Sequence, residues 1–422
     1  MLQTLFHIPG EIGGYPVFGF GLALGLWVVF GLVLLARLVR RQGFNADTWS
    51  YVPLLALVAA AIIWLLPAIC DAEGLPIRGY GVMLLLGIMA ATGLLAWRVR
   101  RAGLDPEIAV SILFWLFVPG IIGARAFYVI EYWPDFHKPT AEQTFWAVLN
   151  VAQGGLVVYG SVIGGLLGIV AFARWYRLPF LALADLIAPA FALGLAFGRI
   201  GCMLNGCCFG GVCDLPWAVT FPWGSPAHVQ QAQLGQVFLH GLKLAPGPAA
   251  PPVIAEVEPG SAAEKSGLRK GMRVGTVNGR PVQTAEDARL MLLSLQQPGM
   301  PISVVSDAPH HWVLAGPVAR SLPVHPAQIY STINALLLCL LLLAFDPFHG
   351  RDGEVFALGL TIYPITRFLL EIIRTDESPI FGTGLSISQN VSLLVLAGVV
   401  ILWWHVLRQP RGLAFGAGEP RA

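Results

Sequence analysis

Six short motifs set charged, aromatic and glycine residues side by side in a chain that is otherwise apolar. They are Ile77-Arg-Gly-Tyr-Gly81, Gly123-Ala-Arg125 with Tyr128 one turn on, Gln153-Gly-Gly-Leu-Val-Val-Tyr-Gly160, Gly198-Arg-Ile-Gly-Cys-Met-Leu-Asn-Gly-Cys-Cys-Phe-Gly210, His325-Pro-Ala-Gln-Ile-Tyr330, and Tyr363-Pro-Ile-Thr-Arg367 with Glu371 and Arg374 following. Arg367, Glu371 and Arg374 recur at helical spacing and share one face with Tyr363. Paired guanidinium groups on one stripe suit a phosphate, which they chelate bidentately. Ionisable groups near membrane depth are costly and are functional candidates for that reason. For any one arginine, snorkelling to the interface is the alternative. For Arg125, Arg199, Arg367 and Arg374 together, one shared depth points to an anionic headgroup site.

The elements that must carry these motifs are membrane helices. The chain has 422 residues, 56% hydrophobic and 12% charged, with mean hydropathy +0.70. Soluble domains carry about 25% charged residues, so a cytosolic enzyme, a disordered chain and a disulfide-dense module are excluded. The formal net charge of +2 gives no footprint for nucleic acid. Apolar runs fall at residues 17–36, 51–66, 80–97, 108–130, 156–175, 181–198, 328–345, 355–371 and 388–405, about nine spans in all. Pro119 and the glycines at 120 and 123 predict a break in the fourth. Arg37, Arg40, Arg41, Arg98, Arg100, Arg101, Arg174, Arg177, Arg351, Arg408 and Arg411 follow alternate spans. The positive-inside rule then places the N-terminus outside and the C-terminus in the cytoplasm. The first residues lack the basic region and the cleavage site of a signal peptide.

Pro16, Gly19, Gly21, Arg40–Arg41 and Gly43 are matched at one constant offset by Pro76, Gly79, Gly81, Arg100–Arg101 and Gly103, which reads as a duplicated hairpin. Arg78 and Tyr80 occur only in the second copy. A polar stretch, residues 216–321, interrupts the later spans. Its strand at 253–257, its Gly267-Leu268 pair, its Asn278-Gly279 turn, its helix at 285–295 and its strand at 302–305 resemble a bacterial PDZ domain. That likeness implies a peptide ligand added as a strand; a spacer without a ligand is the alternative. The expected fold class is an all-α polytopic membrane protein with a small inserted α+β PDZ-like domain. The expected organisation is an extra hairpin at 1–72, a first core part at 73–215, the insert at 216–321, a second core part at 322–410 and a cytoplasmic tail at 411–422.

The motifs from residue 77 onward, taken in order, closely resemble the prolipoprotein diacylglyceryl transferase family, and residues 198–210 match its signature. The resemblance implies an enzyme of the bacterial inner membrane that needs no cofactor or metal. Such an enzyme moves the diacylglyceryl group of phosphatidylglycerol onto the lipobox cysteine of a preprolipoprotein signal peptide, forming a thioether and releasing glycerol phosphate. It implies catalytic roles for Arg199, Arg367, Tyr80, His325 and Tyr159. It implies phosphatidylglycerol-binding roles for Arg199, Arg367, Arg374, Arg125, Asn205, Gly210, Tyr330 and Tyr363.

Two departures from the family pattern stand out. Tyr159 occupies a position where many members have histidine, and a phenol of pKa near 10 is a poor base. Any base role then falls to His325 or to no side chain. Cys202 and Cys207 replace an asparagine and an acidic residue of the signature. With Cys208 and Cys213 they form no C-x-x-C pair, and packing, a disulfide and a metal site remain the readings of this group. Two other functions compete. An intramembrane protease with a PDZ domain would need His-Glu-x-x-His or a Gly-x-Ser-x-Gly turn, neither of which occurs. A transporter would show inverted repeats.

Overall fold

The computed structural model describes residues 3–43, 46–71, 73–150, 154–155, 157–247, 250–295, 299–306, 308–313, 319–374 and 382–415. Gln153 of the third motif and residues 416–422 of the expected tail lie outside these. By its contacts the chain divides into two units, Met1–Met83 with Leu204–Gly206, and Leu84–Met203 with Cys207–Ala422.

In the first unit, strands β1 (Thr4–Ile8) and β4 (Leu75–Arg78) form an antiparallel pair, and β2 (Glu11–Ile12) and β3 (Tyr15–Pro16) a tight hairpin. Helix α1 (Leu22–Gln42) packs against a helical run built from α2 (Ala46–Ala60), a π-helical turn Ala61–Leu65 and α3 (Leu66–Ile69). Trp27 Nε1 donates to the Leu55 carbonyl at 3.0 Å between them. Gly43 and Gly103, which end the first helices of the matched hairpins, both have φ +76°.

The second unit holds most of the helical core. It comprises the bulk of α4 (Gly79–Arg101) and α9 (Phe180–Asn205), then α5 (Glu107–Glu131), the short α6 (Trp133–Phe136), α7 (Ala141–Leu149), α8 (Val158–Trp175), α13 (Ala327–Phe345), α14 (Glu354–Ile372) and α15 (Ile387–Arg408). Among the described residues, eight helices are long and apolar enough to cross a membrane. The run Leu55–Ile69 is apolar but shorter, which accounts for the ninth expected span. Large side chains such as Phe114, Ile130, Leu167, Leu340 and Val400 are exposed along these helices, as lipid-facing positions are. The chain is a multi-pass membrane protein.

Helix α5 runs through Pro119 without the break the sequence suggests. The reason lies in its neighbour. Gly123 and Gly160 face each other so closely that a Cβ on either would lie 2.4 Å from the other's carbonyl oxygen. A Cβ on Gly164 would meet the Pro119 carbonyl at 2.2 Å, and one on Gly168 the Trp115 carbonyl at 2.0 Å. Small residues let membrane helices meet backbone to backbone. Gly160, which ends the third motif, and Gly164 and Gly168 beyond it are therefore packing residues. Two buried clusters complete the core. One joins Leu95, Val99, Ile112, Phe172 and Leu183; the other joins Ala192, Leu338, Leu342 and Val355.

One end of the bundle is held by ordinary structural pairs. Asp185 accepts from the Gly353 amide at 2.6 Å and the Phe356 amide at 2.7 Å, which satisfies the start of α14. Arg98 pairs with Asp346 at 2.6 Å.

The polar stretch between α9 and α13 has its own core, with Leu242, Ile254, Leu268, Leu292, Ile302 and Val304 buried. It contains α10 (Pro226–Gln233), α11 (Ala262–Lys265) and α12 (Ala285–Ser294). Strands β5 (Leu242–Leu244) and β6 (Ile254–Val257) pair, and β7 (Thr276–Val277), β8 (Arg280–Pro281), β9 (Pro301–Val305) and β10 (Pro309–Val313) form an antiparallel sheet in the order β10-β9-β7-β8. The β7–β8 turn uses Asn278 at φ +46° and Gly279 at φ +75°, the left-handed pair a two-residue hairpin needs.

Candidate functional site

The late arginines are held by one carboxylate. Glu371, 4% exposed, is bonded to Arg367 Nη1, one helical turn back, and lies 3.4 Å from Arg374 Nη1. Arg367 Nη2 also donates to Ser388 Oγ, in the first turn of α15, at 2.9 Å. Glu371 thus holds Arg367 on α14 and Arg374 just past its C-terminal end at Ile372, and Ser388 ties Arg367 to the next helix. The sequence pattern contains Glu371 but gives no sign of Ser388, whose partner is fixed only by tertiary packing.

Arg199 belongs to the same group. Its electrostatic neighbours are Tyr363, Cys208, Cys202 and Arg374. Among the described residues no carboxylate pairs with Arg199. A half-buried guanidinium beside a second cation, at the end of a membrane helix, is an arrangement that an anion stabilises.

Three motifs are then joined through their backbones. The Gly210 amide donates to the His325 carbonyl at 2.9 Å, the His325 amide to the Gly211 carbonyl at 3.0 Å, and the Gly211 amide to the Ile373 carbonyl at 2.9 Å. Gly210 also bridges Arg374. A Cβ at residue 210 would lie 2.6 Å from the His325 Cβ and 3.0 Å from the Ile373 carbonyl oxygen. Gly210 is thus a spacing residue, and its absent side chain is what lets His325 and Arg374 approach. His325 presents its ring to Tyr330 at 6.4 Å between centroids, and its Nδ1 is buried without a hydrogen-bond partner among the described residues. Tyr330 Oη accepts from Trp217 Nε1 at 2.7 Å. The buried Gln328 donates to the Cys207 carbonyl at 2.7 Å, binding the signature to α13. Trp217 and Gln328 escape sequence reasoning because their partners lie far away along the chain.

Arg125 is placed differently. Its guanidinium donates to five backbone carbonyls, from Val148 (2.7 Å), Gly154 (3.0 Å), Gly155 (3.1 Å), Ala147 (2.9 Å) and Asn150 (2.7 Å). It also lies over the rings of Phe136 and Tyr128. All five N–H donors of an arginine are thereby engaged. Arg125 closes the C-terminal end of α7 and the glycine turn that precedes Tyr159, which is half-buried in the first turn of α8. Tyr80, 40% exposed, and Asn205, whose carbonyl accepts from Gln3 Nε2 at 3.0 Å, belong to the first unit.

Fold and site together define a polytopic membrane protein with a cluster of arginines, a histidine and tyrosines at the helix ends. Residues 67–404 match the family model described as prolipoprotein diacylglyceryl transferase. The chain belongs to that family. It is 33% identical, over 95% of its length and 88% of the relative's, to the phosphatidylglycerol–prolipoprotein diacylglyceryl transferase of Rhodopirellula baltica. It is 26% identical to the second such transferase of Clostridium perfringens over 78% of this chain and 91% of that one. To the Synechocystis sp. enzyme of the same name it is 31% identical over 38% of this chain and 54% of that one.

Proposed function

We propose that this chain transfers the sn-1,2-diacylglyceryl group of phosphatidylglycerol to the lipobox cysteine of preprolipoproteins. The thiol sulfur attacks the glyceryl carbon that bears the phosphate. A carbon–sulfur bond forms, the carbon–oxygen bond breaks, and the thiol proton ends on the solvent or on the released glycerol phosphate. A cysteine thiol of ordinary pKa near 8.5 is only a few per cent thiolate at neutral pH, so removing its proton is part of the task. The charge that grows on the leaving phosphate must be met by fixed cations.

Arg199 and Arg367 take that phosphate, with Arg374 beside them. Tyr363, Tyr330, Tyr80, Tyr159 and Asn205 orient the headgroup and the acceptor. The thiol proton passes through His325, or through no side chain of the protein. Gly210 keeps the spacing. Arg125, in contrast to the headgroup role expected of it, acts through the turn before Tyr159. The enzyme sits in the bacterial inner membrane with the N-terminus and the insert in the periplasm and the C-terminus in the cytoplasm. The insert is a PDZ-like peptide-binding module. The observation that carries this reading is Arg199 without a carboxylate partner among the described residues, next to Tyr363 and Arg374.

The test is lipidation of a lipobox reporter in cells lacking their own enzyme, followed by its shift in gel mobility. Expression of the wild-type chain should restore the shift, and a reporter with serine at the acceptor position should stay unmodified. Restored lipidation by Arg199→Ala at wild-type rate would refute the phosphate assignment.

A further inference from the structure

Beside this site stands a group of side chains that the transfer does not use. The sulfurs of Cys202, Cys207 and Cys208 all lie within 4.8 Å of one another. The Cys207 thiol donates to the Cys202 carbonyl at 3.8 Å. The chain holds this cluster in a strained form: Cys208 has φ +59°, a left-handed conformation disfavoured for residues other than glycine. Such strain persists where surrounding contacts impose it, and is concentrated at functional positions. Here Gln328, fully buried, holds the Cys207 carbonyl, and the Cys207 amide donates to the Cys202 carbonyl at 3.2 Å. Cys213, only a few residues on, is not part of the group.

We propose that Cys202, Cys207 and Cys208 form a three-thiolate site for a soft d10 cation, copper(I). Soft sulfur ligands select copper(I), whereas structural zinc takes four ligands. With metal–sulfur bonds of about 2.3 Å, three sulfurs around a trigonal ion stand roughly 4 Å apart, within the spread of the cluster. On binding, each ligating thiol gives its proton to solvent and forms one sulfur–copper bond; copper stays monovalent and no oxidant takes part. The loaded site carries two net negative charges. Cys202 and Cys208 are electrostatic neighbours of Arg199, so that charge lies against the guanidinium assigned to the phosphate. Copper(I) therefore competes with the phospholipid for Arg199, a consequence that rests on the proposed function; the binding itself does not.

The experiment titrates the purified full-length chain in detergent with copper(I), anaerobically, against a chromophoric copper(I) chelator. The expected result is one copper per chain, with affinity at least tenfold weaker in Cys202→Ala and Cys208→Ala and unchanged in Cys213→Ala. A second measurement needs no variant: in the wild-type chain, copper(I) should protect the peptides holding Cys202, Cys207 and Cys208 from maleimide labelling, while Cys70 and Cys213 label as before. No retained copper, or equal affinity and labelling with and without the three thiols, overturns the site. Stoichiometric binding that leaves lipidation of the reporter unchanged overturns only the competition with phospholipid.

Discussion

The Gly210 amide donates to the His325 carbonyl at 2.9 Å, and a side chain at residue 210 would collide with the His325 Cβ at 2.6 Å. This contact sets how far the signature stands from α13 and, through the Gly211–Ile373 bond, from the C-terminal end of α14 and Arg374. Gly210→Ala should therefore lower reporter lipidation at least tenfold while the protein still accumulates in the membrane. Rates and membrane levels measured side by side check this; wild-type lipidation by the alanine variant would remove the spacing role.

Lysine should not replace Arg367. Arg367 is braced by Glu371 and Ser388, so Arg367→Lys loses both the fork geometry and the brace. Removing one fixed donor to a developing oxyanion costs about 100- to 1,000-fold in rate. Arg199→Ala and Arg367→Ala should both fall by that order. Ser388→Ala, which removes the hydrogen bond from Arg367, should fall only about 10-fold. Initial rates with a synthetic lipobox peptide separate the two arginine variants from Ser388→Ala.

Arg125→Ala strips five backbone carbonyls of their donor at once. Its main effect should be on structure: loss of about 3 kcal/mol or more of local stability and rapid proteolytic cleavage between α7 and α8. Limited proteolysis in detergent reads this directly. An Arg125→Ala chain as resistant as wild type, yet inactive, would return Arg125 to the headgroup.

The insert should loosen in mild acid. Burial pushes the His228 imidazole down to about 4, with the nearby His240 charge adding to the effect. Among the described residues neither ring nitrogen of His228 has a hydrogen-bond partner. Folded His228 therefore stays neutral where the unfolded chain, with an ordinary histidine value of about 6.5, takes up a proton. The contribution to stability is fully present above pH 6.5 and is lost as pH falls from about 6.5 to about 4. Hydrogen exchange of residues 226–240 across that range should show rising opening, flattened in His228→Phe.

The spans were legible as apolar runs of membrane length, and Arg367 with Glu371 because helical spacing puts them on one face; Arg374, expected on the same face, lies beyond the end of α14 at Ile372, where it bridges Gly210 instead. The break predicted at Pro119 was not there: proline and glycine read as local breakers, yet a neighbouring glycine helix can hold a continuous one against them. Arg125 shows the same limit on the site side. Its residue type suits a phosphate, and only the fold reveals that backbone carbonyls from α7 and the glycine turn already occupy it. Ser388, Trp217 and Gln328 had no local signature at all, because each acts on a partner distant in sequence.

The glycine seam between α5 and α8 has a mechanical consequence. Where two backbones touch with no side chain between them, there are no rotamers whose rearrangement lets one helix slide past the other. The pair must move as a single strut. Any gap wide enough to admit a two-tailed lipid sideways has to open along another seam, where bulky side chains can turn aside.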